Sequence, residues 1–297
     1  MSMKDIKELR ERTGAGVLDC KNALVENDED MEKAVEYLRE KGIADAAKKA
    51  GRVAAQGKVD VVTIDERKKG LIAEINCETD FVAKNENFQN LVKQISEHLI
   101  KSESENIDDV LSEEWYKDES KDVNTVIKEA IANIGENINL RRFEKISTDG
   151  FLQKYIHLGG KIGVLVEVDG EDTDENREFT RNVAMHIAAS SPEFLTRDEV
   201  DKETVEKEKK IYREQMLNEG KPEHIIDKIV EGKIDKFYTQ ICLIEQPYVR
   251  DTDISVGDYL DDKDIEIKRY VRYELGEGIE VKKEDFAEEV MSEMKNN

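Results

Sequence analysis

The chain has little proline, little cysteine, little aromatic content and no long apolar run. Its 3 prolines and 9 tyrosines argue against a proline-rich or aromatic-rich scaffold. Cys20, Cys77 and Cys242 are isolated, with no C-x-x-C pair. An odd, sparse set of this kind fits buried thiols in a reducing compartment better than a disulfide framework. No segment approaches the roughly 18 consecutive apolar residues that a membrane-spanning helix needs. The start, Met1-Ser2-Met3-Lys4-Asp5, lacks the apolar core of a signal peptide. A cytoplasmic protein without a membrane partner is therefore expected. Positive charge is the other scarcity, because the formal net charge is -23 and the pI about 4.7. Such a field repels phosphate backbones, whose binding depends on Lys and Arg displacing counterions. The best basic candidate, Lys48-Lys49-Ala50-Gly51-Arg52, is short and reads as a solvated helix end. Free nucleotide meets the same repulsion. No direct nucleic-acid contact and no cofactor are expected, and a protein partner is favoured.

Charged residues make up 39% and hydrophobic ones 38%, with a mean hydropathy of -0.68. Cores must be modest under a heavily charged surface. Repeated amphipathic patterns nevertheless argue against global disorder, and 297 residues allow two or three domains at about 150 residues each.

Residues 4 to about 50 read as a small three-helix unit. Ile6 and Leu9 share one face of a first helix that Thr13-Gly14-Ala15-Gly16 ends. Val17, Cys20, Ala23 and Leu24 follow at helical spacing. Met31, Ala34, Val35 and Leu38 form a third stripe that Gly42 is expected to stop, leaving Ile43 to Ala50 as a helical or flexible connector. A strand over Lys58–Ile64, a charged turn and a second strand opening at Gly70 come next. A helix carrying Phe88, Leu91, Val92, Ile95 and Leu99 follows. The pattern then returns. Gly163-Val164-Leu165-Val166-Glu167-Val168 matches Gly70-Leu71-Ile72-Ala73-Glu74-Ile75 position by position, Phe179 and Val183 match Phe88 and Val92, and Gln153–Leu158 stands where Val59–Ile64 stood. A charge recurs as well as the apolar pattern, so an internal duplication of strand–turn–strand–helix units is the economical explanation. Each unit would be a helix packed on an antiparallel sheet, an α+β arrangement.

Between the copies, Ser102 to Val123 is acidic and holds the single Trp115, and reads as a short helix resting on the core. Asn139–Ile146 alternates like a strand. Asp198–Asn218 and Glu223 to about Phe237, separated by Gly220-Lys221-Pro222, predict a projecting helical hairpin. The hairpin is suited to docking another helix or a second copy of the chain, or to folding onto its own domain. Arg269–Glu274 reads as a strand, and a closing helix over Lys283–Lys295 carries Phe286, Val290 and Met294. The expected divisions are a three-helix unit at 1–54, a first core unit at 55–149, a second at 150–265 including the hairpin at 198–237, and a C-terminal module at 266–297.

One stretch stands apart, Asn76-Cys77-Glu78-Thr79-Asp80-Phe81-Val82-Ala83. It reads as a loop between the strand Leu71–Ile75 and a helix starting near Glu86, too short to bury Phe81 fully. Apolar side chains in a surface loop ask for a reason. Phe81 either folds back as a lid on its own domain or faces a partner. Chemistry is otherwise sparse. His98, His157, His186 and His224 are scattered, none in H-E-x-x-H or beside a cysteine at metal spacing. His186, within Ala184-Met185-His186-Ile187-Ala188-Ala189, reads as a satisfied core or interface histidine. Asp172-x-Asp174-x-Asn176 begins like a calcium loop but continues with Arg177 and reaches Val183 where glutamate is needed. No phosphate loop and no G-x-S-x-G nucleophile motif occur. Neither catalytic nor metal-ligating residues are assigned.

Four motifs in order resemble the bacterial translation elongation factor Ts family, the nucleotide-exchange factors of the GTPase elongation factor Tu. They are Leu9-Arg10-Glu11-Arg12-Thr13-Gly14-Ala15-Gly16 with Asp19-Cys20-Lys21, Cys77-Glu78-Thr79-Asp80-Phe81-Val82, Met185-His186-Ile187-Ala188-Ala189-Ser190, and Gln246-Pro247-Tyr248-Val249. The likeness covers nearly the whole chain. It implies a ubiquitin-associated-like three-helix domain at the N-terminus, and elongation factor Tu as partner. It implies that Asp80, Phe81, Val82 and Ala83 enter that partner near its nucleotide and magnesium site, supported by contacts from Thr79, His186 and Ile187. Phe81 is then a wedge more than a lid, in keeping with the lack of an Asp-Phe pair after Val168 in the second copy. No covalent chemistry is implied. Self-association through the hairpin is left open by the resemblance, and a ribosome- or RNA-associated adaptor is the competing class. A ubiquitin-like-binding scaffold would leave the duplicated core unexplained.

Overall fold

The computed structural model describes residues 2–261 and 263–280. Helices α1 (Met3–Thr13), α2 (Val17–Glu26) and α3 (Met31–Lys49) open the chain. Strands β1 (Gln56–Ile64) and β2 (Lys69–Cys77), the short helix α4 (Asp80–Ala83) and α5 (Glu86–Leu99) follow. Then come α6 (Ile107–Ser112), the hairpin β3 (Glu114–Trp115) and β4 (Asp118–Asp122), α7 (Val123–Ile134) and β5 (Ile138–Ser147). The second half contains β6 (Phe151–His157), β7 (Ile162–Gly170), α8 (Asp174–Ser190), α9 (Lys202–Asn218) and α10 (Glu223–Ile241). It ends with β8 (Pro247–Tyr248), β9 (Asp251–Ser255), α11 (Val256–Asp261) and β10 (Ile265–Glu274). The α+β class read from the sequence is the one observed. The closing helix expected at 283–295 lies outside the described residues.

Two antiparallel three-stranded sheets, β1-β2-β5 and β10-β7-β6, form the core. In each, the second strand of the repeated unit is central and a later strand, β5 or β10, completes the sheet. β10 is thus part of the second sheet, and the division expected at 266 falls inside it. The correspondence reaches the irregularities. Glu74 faces Arg142 across β2 and β5, and Glu167 faces Arg269 across β7 and β10. Beside each pair the outer strand carries one extra residue, Arg141 in β5 and Lys268 in β10, so both strands bulge at the same place.

β2 is buried from Gly70 to Cys77 because both its faces are covered. Leu71, Ala73, Ile75 and Cys77 meet α5 and α7 through Phe88, Val92, Ile95 and Ile131. Ile72 points the other way, where it joins Val59 and Val61 against Leu152 and Leu165 of the second sheet. On β7, Val164, Val166 and Val168 likewise face α8 while Leu165 faces the first sheet. The layers run helix, sheet, sheet, helix. The strand-opening glycines let the sheets approach. A Cβ at Gly70 would lie 2.8 Å from Leu152 Cδ1, and one at Gly163 would lie 2.5 Å from Val59 Cγ1 and 2.9 Å from Val61 Cγ2. Gly163→Ala is accordingly expected to destabilise the fold by about 1–3 kcal/mol, the usual range for overpacking. Urea unfolding checks this, and an unchanged midpoint would contradict the close sheet contact.

Gly42 does not stop the third helix, as the sequence led us to expect. It lies inside α3, where its missing side chain brings the helix against α7: a Cβ there would sit 3.0 Å from the Ala132 Cβ. The segment Ile43–Lys49 is therefore packed helix, with Ala46 in the first core. Asn133 of α7 donates to the Thr13 carbonyl at 3.1 Å, a second tie between the three-helix unit and the core. The acidic insertion rests on the core as expected, with Trp115 buried and stacked 5.2 Å from His98. The hairpin differs at its bounds. A 3-10 turn at Arg197–Glu199 precedes α9, which starts after the Asp201 cap, and α10 runs four residues past Phe237 to Ile241. Met216, Ile226, Val230 and Ile234 bury against one another within it.

Candidate partner-binding site

The stretch from Asn76 to Ala83 is not an irregular loop. Thr79 is extended, and its Oγ1 accepts the Val82 N–H at 3.3 Å, so Asp80–Ala83 winds into one turn, α4. Threonine before an acid is a favourable helix start, because the hydroxyl caps a free N–H and the carboxylate meets the positive end. Asp80 accepts from Lys84 Nζ at 2.7 Å, and this bond holds its carboxyl below the usual range. The Asn85 N–H closes the turn on the Val82 carbonyl at 2.9 Å, and its side chain caps α5 through the Asn87 N–H at 2.8 Å.

Glu136 holds this turn from below. It follows Gly135, which ends α7 in the left-handed region. One of its carboxylate oxygens accepts the Glu78 and Thr79 N–H groups at 3.1 and 3.0 Å, and the other accepts the Thr79 hydroxyl at 2.6 Å. Glu78 answers by accepting the Asn137 N–H at 2.6 Å, with Arg52 3.5 Å away. The Asn137 side chain donates to the Arg52 carbonyl at 2.8 Å. Three chain segments are thereby tied together behind α4. Cys77 donates to the Thr79 carbonyl at 3.2 Å. Burial, reinforced by Glu136, pushes its thiol up to about 12, so it stays neutral and is not a nucleophile.

The side chains of α4 divide accordingly. Val82 and Ala83 pack partly buried against the first core, while Phe81 is 81% exposed. Phe81 does not fold back as a lid. Neither Glu136 nor Asn137 stood out in the sequence. The only signal was an acid directly after a helix-ending glycine.

His186 and Ile187, expected as supporting contacts, are fully buried in α8. The Val249 N–H donates to His186 Nδ1 at 3.1 Å, so the ring carries its proton on Nε2, which donates to Gln246 Oε1 at 2.8 Å. Gln246 in turn donates to the Gln240 carbonyl at 2.6 Å. Two motifs about 60 residues apart, Met185–Ser190 and Gln246–Val249, thus meet at one imidazole. The satisfied-histidine reading describes its surroundings, and the adjacent exposed side chain is Val249.

Burial lowers the His186 pKa below its ordinary 6.5, and the Gln246 bond only partly offsets this. The unfolded chain therefore takes up a proton first as the pH falls. The stability tied to neutral His186 is complete above about 6.5 and is lost progressively below it. His186→Asn is expected to flatten the decline in urea midpoint between about pH 7 and pH 5. An identical pH profile in the variant would contradict the assignment.

Among the described residues, no group of three or more His, Cys, Asp or Glu side chains is placed to hold a metal ion. Nor is any helix there long and apolar enough to cross a membrane.

The family model described as elongation factor TS matches residues 78–277. A protein of Halothermothrix orenii named elongation factor Ts is 64% identical over 294 residues, covering 99% of this chain and 98% of its own length. Proteins of the same name from Clostridium botulinum and Clostridium perfringens are each 51% identical, the first over 302 residues and the second over 298, and each alignment spans at least 98% of both chains.

Proposed function

The chain belongs to the elongation factor Ts family, and from that premise we propose that it is a guanine nucleotide-exchange factor acting in the cytoplasm during translation elongation. It binds elongation factor Tu carrying GDP, disturbs the magnesium and phosphate site, and releases GDP so that GTP can bind. The observation that carries this reading is Phe81, 81% exposed on a helical turn fixed from behind by Glu136. A wedge needs an apolar head that its own domain does not bury and a base that does not yield. Phe81 and the Glu136–Thr79–Glu78–Asn137 ties have these two properties.

In this mechanism Phe81 enters between elements of the partner with Asp80 beside it, and Val82 and Ala83 keep α4 seated on its own core. Magnesium takes near-ideal octahedral oxygen ligands and bridges the nucleotide's phosphates, so a small displacement of those ligands loosens both ion and nucleotide. His186 acts indirectly. By fixing Gln246 and the Val249 backbone it presents Val249 as a second surface element. No bond is made or broken in the factor, so no general base or nucleophile is required.

Linkage constrains the proposal. If the chain weakens GDP binding by some factor, GDP must weaken binding of the chain by the same factor. The test is calorimetric titration of the chain into elongation factor Tu, nucleotide-free and saturated with GDP. Weaker binding to the GDP form is expected, and equal affinity for the two forms would sink the exchange mechanism.

A further inference from the structure

Acidic residues outnumber basic ones by 69 to 46, so carboxylate partners for arginine are plentiful. Arg12, Arg39, Arg52, Arg141 and Arg142 all have one. So do Arg177, Arg197, Arg213, Arg269 and Arg272. Among the described residues only Arg10, Arg67, Arg181 and Arg250 make no ion pair, and three of these four line one groove of about 520 Å³. Arg67 comes from the β1–β2 turn, Arg181 from α8 and Arg250 from the β8–β9 turn.

Arg67 is held there against backbone preference. Asp65, Glu66 and Arg67 have φ of 50, 51 and 66°, three successive non-glycine residues in the left-handed region that L side chains disfavour. Its carbonyl accepts the Leu152 N–H at 2.8 Å, and its guanidinium donates to the buried Gln153 side chain at 3.3 Å. Arg250 donates to Asn182 Oδ1 at 2.7 Å, which braces it without neutralising it. Arg181 is exposed and has no polar partner among the described residues. Glu178 also lines the groove, and Arg177 is already held by Asp172 at 2.6 and 2.8 Å. The guanidiniums without a carboxylate ion pair are therefore Arg67, Arg181 and Arg250, the last also bonded to the Tyr248 hydroxyl.

Three guanidiniums without a direct carboxylate partner surround one concavity, with Asp172 acting on Arg67 only at longer range, and they repel one another unless an anion sits between them. Each is a planar fork of N–H donors matched to oxyanions. A carboxylate offers two oxygens, whereas a phosphate group offers enough to be shared by three forks and carries up to two charges. We propose that this groove is a binding site for a phosphate group, free or carried by a small molecule. It lies at the Lys69 end of β2, while α4 follows the Cys77 end. Nine residues at about 3.3 Å each put the two sites roughly 25–30 Å apart. The groove is thus separate from the exchange tip.

The test is calorimetric titration of the full chain with inorganic pyrophosphate at low salt, using the native protein, Arg181→Gln and the Arg181→Gln/Arg250→Gln pair. Both side chains are exposed, and thermal unfolding of the variants checks that they remain folded. One site is expected, weakened about tenfold by the single substitution and close to abolished by the pair. Added salt should weaken it further. A parallel titration with ADP separates the sources. Tighter binding than pyrophosphate assigns the phosphate to a nucleotide, and equal or weaker binding assigns it to a free phosphate compound. No binding of pyrophosphate by the native chain, unchanged binding by the double variant, or tighter binding of a glutamate-rich peptide would overturn the proposal.

Discussion

Phe81→Ala is expected to slow chain-stimulated release of GDP from elongation factor Tu by about 10- to 100-fold while leaving the stability of the chain unchanged. Burying a phenylalanine side chain contributes about 1.5–3 kcal/mol, and aromatic anchors at the centre of interfaces reach about 2–4 kcal/mol when truncated. Each 1.36 kcal/mol corresponds to about tenfold in rate. At 81% exposure the ring contributes almost nothing to its own core, so the unfolding free energy from urea titration should change by less than about 0.5 kcal/mol. Thr79→Ala supplies the contrast. It removes the cap of α4 and one bond to Glu136, so it should lower stability by about 1 kcal/mol and slow exchange by loosening the wedge's base. Stopped-flow release of a fluorescent GDP together with urea unfolding separates the two effects. Native exchange in Phe81→Ala would remove the wedge from the account.

The second large effect is structural. Glu74 has no exposed surface and accepts from Arg141 Nη1 at 2.9 Å, Arg142 Nε at 2.6 Å, Asn76 Nδ2 at 3.1 Å and the Gly276 N–H at 2.8 Å. Burial pushes its carboxyl up, but these donors together outweigh burial and hold the pKa below the ordinary 4.5. Arg141 also reaches the Glu277 carbonyl, so this carboxylate joins β2, β5 and the turn after β10. Glu74→Ala leaves two arginines facing an empty buried site and is expected to destabilise the protein by about 3 kcal/mol, the lower end for breaking a buried pair, because both arginines retain some access to water. Its counterpart Glu167 pairs with Arg269 at 2.8 Å across an exposed edge, and Glu167→Ala should lose less than about 1 kcal/mol. The pH sign follows from the depressed pKa: the stability due to Glu74 is complete above about 4.5 and is lost as the pH falls through the lower folded value. Comparable losses in the two variants would refute the claim that Glu74 is the tie between the halves.

The duplicated core was legible because apolar alternation and a recurring glutamate are local patterns that a single sequence displays. The partners of that glutamate were not. Gly276 lies 202 residues from Glu74, and nothing in either local pattern links them. Gly42 shows the same limit. A glycine that ends a helix and a glycine that lets two helices touch look alike in sequence, and only the approach of Ala132 distinguishes them. Helix α4 escaped detection because four residues carry no helical period, although its capping threonine and first-turn aspartate were visible. At the candidate site, the exposure of Phe81 was half-read as a choice between lid and wedge. The carboxylate of Glu136 that holds the turn arrives from the end of α7 and could not be read at all. The satisfied surroundings of His186 were legible from its small, apolar neighbours, whereas its partners lie in the Gln246–Val249 motif, about 60 residues away.

The most direct measurement of the central claim is the rate at which labelled GDP leaves elongation factor Tu as a function of the concentration of this chain, in the presence of magnesium. The account predicts a saturable acceleration by the native protein and a nearly flat response with Asp80→Ala/Phe81→Ala. A release rate that the native chain leaves unchanged would contradict the exchange function. A full acceleration by the double variant would contradict the place assigned to α4 in it.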